Sequence, residues 1–103
     1  MDKKSAVAAV IQFRDTLEKL GVTVSRTILY GSYATGKQHE GSDIDVVVVS
    51  RDFYGKDYWE RITLLSKAIY KVFQPIEAVA FTPDEWETGD SIIREYAREG
   101  ELV

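Results

Sequence analysis

The chain has 103 residues, 45% of them apolar, which suits one domain spanning residues 1–103 with a single compact core. Its 13 Lys and Arg against 17 Asp and Glu give a net charge of −4, a balance that disfavours nucleic-acid binding by counterion release. The lack of cysteine excludes a disulfide scaffold, a thiolate zinc site and a cysteine nucleophile, and the lone His39 excludes a two-histidine metal site within one chain. Chemistry here has to come from carboxylates, hydroxyls and backbone amides.

No run reaches the ~18–20 apolar residues of a membrane span. Arg14, Asp15, Glu18 and Lys19 follow the apolar N-terminal stretch at helical spacing, with no small-residue cleavage site. The N-terminus therefore reads as an amphipathic helix rather than a signal peptide, and a cytoplasmic protein is expected.

In chain order, Val7, Val10, Ile11, Leu17 and Leu20 predict a helix over residues 3–20, stopped by Gly21. Residues 22–30 are rich in β-branched side chains and predict a strand that runs into the turn Gly31-Ser32. Residues 33–41 are polar and glycine-flanked, which predicts a loop with room for one helical turn. Ile44-Asp45 followed by four valines predicts a central strand buried on both faces.

Asp57 is a good N-cap for a helix with a stripe of Ile62, Leu65, Ile69, Val72 and Phe73, preceded by Trp59 and ended before Pro75. Residues 76–81 predict a third strand, with Glu77, Val79 and Phe81 on one face. Thr82-Pro83-Asp84-Glu85 is a capping box with proline at the first helical position, opening a short turn through Trp86. A last helix over residues 91–99 and a short strand at 101–103 complete an α/β (α+β) fold. Its small mixed sheet has three to four strands flanked by helices.

Two acids interrupt the valine strand. Asp43 stands at its entry and Asp45 two residues on, so period two puts both on one sheet face with Cα atoms ~6.5–7 Å apart. Carboxylates in an apolar strand are costly unless paired or metal-bound, and a divalent cation resolves that cost. Glu77 interrupts the third strand in the same way. Three such acids suit two Mg²⁺ ions ~3.5–4 Å apart, the arrangement used for in-line phosphoryl or nucleotidyl displacement. The Gly31-Ser32 turn complements them, because glycine admits a phosphate close to the backbone and the Ser32 hydroxyl adds a donor.

Gly31-Ser32, ten residues, then Asp43-x-Asp45 resembles the signature of the DNA polymerase β-type nucleotidyltransferase superfamily. The fuller string from Gly31 through Gly36 to Ser42-Asp43-Ile44-Asp45 is similar to its minimal nucleotidyltransferase (MNT) branch. The resemblance covers almost the whole chain. It implies a nucleotidyltransferase fold core and metal binding by Asp43 and Asp45. Glu77 fits the third carboxylate, which also helps activate the acceptor hydroxyl. Gly31, Ser32 and Ser42 fit the nucleotide contacts. Thr35 departs from the pattern, since many minimal members carry arginine there, and that puts efficiency or acceptor choice in doubt.

Members of this branch are commonly encoded beside a HEPN-family partner as toxin–antitoxin pairs. The resemblance thus implies Mg²⁺-dependent transfer of AMP from ATP to a hydroxyl of a HEPN-family toxin, this chain being the antitoxin. A domain to hold the acceptor has no room in 103 residues, so a protein partner is expected, in a homo- or hetero-oligomer. Two other readings remain. One is a non-catalytic module that neutralises a partner; it gains if Glu77 points away from the Asp43/Asp45 face. The other is transfer to a small molecule or an RNA end, which the acidic balance weakens. His39 is expected in solvent. Tyr58, Trp59, Tyr70, Phe73 and Trp86 are expected in the core or at an interface.

Overall fold

A computed structural model describes residues 1–103. Helix α1 (Lys3–Lys19) is capped by Asp2, whose side chain accepts from the Ser5 amide at 2.8 Å. It buries Ala6, Ala9, Val10, Phe13 and Leu17. These lie at offsets 0, 3, 4, 7 and 11, one helical face. Ile11 falls about 100° away from that face and is 49% exposed, which corrects its place in the predicted stripe.

Strand β1 (Arg26–Tyr30) is shorter than the sequence suggested. Val22 and Val24 are buried, but from an irregular segment. Its backbone is held by side chains: the Thr23 amide donates to Asp52 at 2.5 Å, and the Ser50 hydroxyl donates to the Thr23 carbonyl at 2.6 Å. β-Branched composition there marks burial without pairing.

After the one-turn helix α2 (Ser32–Thr35) come β2 (Ile44–Val49), a 3-10 turn (Arg51–Phe53) and α3 (Tyr58–Val72). Then follow β3 (Ile76–Phe81), α4 (Pro83–Thr88), α5 (Ile92–Ala97) and the two-residue β4 (Glu101–Leu102). Both predicted helix starts are capping boxes: Asp57 with Glu60, and Thr82 with Glu85. Glu85 also meets Arg61 at 2.6 Å, tying α4 to α3. No helix is long and apolar enough to cross a membrane.

The sheet order is β3-β2-β1-β4. β1 runs antiparallel to β2 and β4, while β2 and β3 are parallel, joined through α3. The four valines are buried on both faces, as predicted. Ile44, Val46 and Val48 pack with α1 and α3 in the main core, which includes Phe13, Leu65 and Phe53. Val47 and Val49 face the other way, joining Ile28, Tyr30, Phe81 and Ala97. Trp86 closes this second core with its ring 5.9 Å from Phe81.

Gly100 sits where β4 begins. An added Cβ would lie 2.5 Å from the Leu29 carbonyl oxygen and 2.7 Å from the Ile28 methyl. Gly100→Ala is expected to cost ~1–3 kcal/mol through overpacking, read as a lower denaturant midpoint; an unchanged midpoint would refute this placement.

The aromatic expectation is corrected in part. Trp59, Tyr58, Tyr70 and Phe73 are 72%, 65%, 81% and 85% exposed, so none belongs to the core of this chain. Phe73 leaves the α3 stripe because it is the C-cap, in left-handed conformation (φ 58°), and its side chain turns outward.

Candidate active site

The second face of the sheet is covered unevenly. Helix α4 leaves from the Val49–Phe81 end, and α5 lays Ala97 on the same cluster. The opposite end carries one row across three strands: Tyr30 pairs with Asp45, and Asp45 pairs with Glu77. Glu77 is exposed and Asp45 half-buried at this open end. Asp43 is exposed at the entry to β2. The structure therefore brings Glu77 to the Asp45 side, as a catalytic site requires and a misdirected Glu77 would not.

Burial first, then the charges of Glu77 and Asp43, and then a hydrogen bond with Glu77 push the Asp45 carboxyl up to about 6. The protonated form of Asp45 donates to Glu77. Burial, then the charges of Asp45 and Glu77, push the Tyr30 phenol up to about 12, so it stays a neutral donor. Sequence reasoning used Tyr30 only to end a strand. Its place in the acidic row follows from the β1–β2 register, for which its position just before Gly31-Ser32 was the available signal.

Gly31 has φ 75° and ψ −152°, a region essentially closed to other residues. A Cβ on it would collide with the Asp45 carboxylate. The glycine turn and the acid strand are thus in backbone-to-side-chain contact, which fixes the phosphate-binding candidate beside the carboxylates. Ser32 opens α2, where no side chain caps the N-terminus and the first amides remain available to an anion.

Ser42 is buried and works within the loop. Its hydroxyl accepts from the His39 amide at 2.9 Å, and its amide donates to the His39 carbonyl at 3.0 Å. This reciprocal pair closes the chain just before Asp43. His39 itself is exposed, as expected. Thr35 bonds back to the Gly31 carbonyl at 3.3 Å, capping its own helical turn.

Asp43, Asp45 and Glu77 offer hard oxygen ligands, and none of them takes part in an ion pair with Lys or Arg. The raised Asp45 reflects burial first and then the uncompensated charges of Glu77 and Asp43. No cluster of three acidic or histidine side chains that could hold a metal ion is present. Mg²⁺ does not need one, since it keeps several waters and binds through one or two carboxylates plus substrate phosphates. The residues fit such an ion.

The sequence pattern of the nucleotidyltransferase domain family matches residues 10–97. The chain belongs to that family. Nucleotidyltransferase domains generally use a nucleoside triphosphate and a divalent metal, in keeping with the donor set above. No curated protein matches the chain.

Three solved structures share the nucleotidyltransferase fold. One is described as a putative nucleotidyltransferase from Sulfolobus solfataricus, at 16% identity and TM-score 0.61, over 95% of this chain and 85% of that one. Another is a toxin–antitoxin structure with AMP-PNP, at 22% identity and TM-score 0.63, over 92% and 69%. A third is a toxin–antitoxin MntA-HpeT mutant, at 19% identity and TM-score 0.58, over 99% and 72%.

Proposed function

We propose that this chain is a minimal nucleotidyltransferase that moves AMP from ATP to a hydroxyl on a partner protein, a HEPN-family toxin, and so acts as a cytoplasmic antitoxin. The observation that carries the reading is the paired row of Asp45 and Glu77 on adjoining strands, with the Gly31 backbone pressed against Asp45. ATP and the toxin partner are supported by the family resemblance and by the two toxin–antitoxin neighbours, one of them with AMP-PNP.

Asp43 and Asp45 would hold Mg²⁺, with Glu77 beside them; a second ion would draw on the same carboxylates. When bound, the metal supplies charge neutralisation at the phosphates. Gly31 and the amides opening α2 receive the triphosphate oxygens, and Ser32 adds a hydroxyl donor. Ser42 supports this by fixing the loop that leads into Asp43. Glu77, the more exposed carboxylate, accepts the proton of the acceptor hydroxyl. That oxygen forms a bond to the α-phosphorus, the bond from the α-phosphorus to the bridging oxygen breaks, and pyrophosphate leaves with that electron pair. In-line geometry requires the acceptor to enter from the open end of the sheet.

The test is mass spectrometry of the product of the neighbouring gene after incubation with this protein, Mg²⁺ and each NTP in turn. One or more AMP increments are expected with ATP, lost with Asp43→Ala and with Asp45→Ala. Undiminished labelling by both variants would sink the proposal.

A further inference from the structure

Strand β3 is a free edge of the sheet, and its pairing with β2 shows which backbone groups stay unused. The Pro75 carbonyl accepts from the Ile44 amide at 2.7 Å, and the Phe81 carbonyl from the Ser50 amide at 3.0 Å. In the parallel register, period two turns the backbone groups of Glu77 and Val79 inward as well. The amides and carbonyls of Ala78 and Ala80 therefore point outward, and no turn or loop of the chain bonds to them. The stretch Ala78-Val79-Ala80 is half-buried and has no charge, proline or bulge. Edges are normally blunted by such devices, and this one is open to another strand.

A groove of about 380 Å³ runs beside this edge. Tyr58 and Ile62 of α3 give it an apolar lining together with the two alanines. Lys56 also lines it and has no carboxylate partner. The Arg61–Glu85 pair, tying α3 to the first turn of α4, stands at the Phe81 end.

The opposite end of the same edge carries Glu77. Across the sheet, Gly31 lies on the β1 side, Asp45 in the middle and Glu77 on the outermost strand. In-line displacement puts the leaving group and the nucleophile on opposite sides of the α-phosphorus. With the triphosphate received at Gly31, the nucleophile has to arrive from beyond Glu77. That is where the next strand of the sheet would lie.

We infer that the acceptor segment of the partner protein docks as an added strand on β3, bonding to the backbone of Ala78 and Ala80. The inference rests on the transfer proposed above and names the form its substrate takes, an extended segment. A strand laid ~4.7–4.9 Å from β3 puts the residue facing Glu77 on the same side of the sheet. Its hydroxyl passes its proton to Glu77 as the oxygen bonds to the α-phosphorus and pyrophosphate leaves. Residues facing Ala78 and Ala80 turn to the other side, into the groove. There an apolar side chain meets Tyr58 and Ile62, and an acidic one meets Lys56. A second copy pairing β3 with β3 would close the side from which the acceptor must come.

The probe is the product of the neighbouring gene, with amide exchange of this chain followed by NMR. The Ala78 and Ala80 amides should exchange freely in the chain alone and slow by ~10-fold or more once the probe is added. Ala80→Pro removes an outward donor and no bond to β2, at a position where an edge strand tolerates proline. It should cut labelling of the probe by ~10-fold and keep the Mg²⁺-induced rise of its melting temperature. Lys56→Glu should lower labelling too. Ala78 and Ala80 amides left unprotected by the probe overturn the inference, as does full labelling by a folded Ala80→Pro. Protection that grows with the concentration of this chain alone assigns the edge to a second copy and overturns it as well. Labelling that withstands both Asp43→Ala and Asp45→Ala sinks the transfer reading instead, while protected amides would still uphold the docked strand.

Discussion

Asp45→Asn should extinguish nucleotidyl transfer and raise the melting temperature of the metal-free protein at neutral pH. Both effects come from the same charge. The Asp45 carboxyl is raised from 3.8 to about 6 by burial and by Glu77 and Asp43, so the folded state binds its proton more tightly than the unfolded chain does. By linkage, the stability this gives is fully present below pH 3.8 and is lost as pH rises through about 6. Above that, the wild type folds around an ionised carboxylate that its neighbours oppose.

Asparagine keeps the shape and removes the opposition. After discounting for the solvent that reaches this half-open site, the gain is ~1–2 kcal/mol above pH 6, or roughly 5–15 °C in a domain of this size. It should vanish when melting is followed below pH 4. Magnesium ions should raise the melting temperature of the wild type and leave Asp45→Asn unmoved. Activity should fall by at least ~10²–10³-fold, the scale of losing one preorganised electrostatic group. An active Asn variant, or one no more stable than wild type at neutral pH, contradicts the assigned role.

Gly31→Ala is expected to be among the most damaging single-methyl additions to this chain. The backbone at φ 75° and ψ −152° admits glycine and penalises other residues by ~1–3 kcal/mol. The added methyl also drives into the Asp45 carboxylate, an overpacking cost of another ~1–3 kcal/mol. The two costs are separable. In the Asp45→Ala background the collision disappears while the backbone cost remains, so a double-mutant cycle should show coupling of about 1–3 kcal/mol between positions 31 and 45. Additive losses would mean that the turn and the acid are not in contact. Transfer activity should be lost in either background, since one lacks the phosphate turn and the other the acid.

Much of the acidic site is legible in the sequence because period two is a strict rule. Asp43, Asp45 and the four valines fix a strand with one functional end, and Glu77 repeats the interruption on a second strand. Spacing alone does not say that Glu77 and Asp45 are partners. That follows from the parallel pairing of β2 with β3 through the α3 crossover, a tertiary fact. Tyr30 was missed for the same reason, since its place depends on which residue of β2 it faces.

Helical stripes were legible only in part. Counting apolar residues at helical spacing places Ile11 and Phe73 on core stripes, yet both are exposed. Ile11 fails because Phe13, two residues on, anchors a different face. Phe73 fails because the left-handed C-cap turns its side chain outward. The segment before β1 fails because Val22 and Val24 serve the core while the backbone of Thr23 between them bonds to Asp52 and Ser50.

The four valines of β2 have a further consequence. Valines on both faces make the strand nearly indifferent to which face is which, and a slip of one residue would exchange the two without changing the apolar count. Asp45 breaks that degeneracy. Shifted by one position it would sit against the main core, where an unpaired carboxylate is expensive to bury. The acid that gives the strand its chemistry is thus also its alignment mark. A chain with valine at position 45 would lose both the reactive group and the one residue that tells the sheet which side faces out.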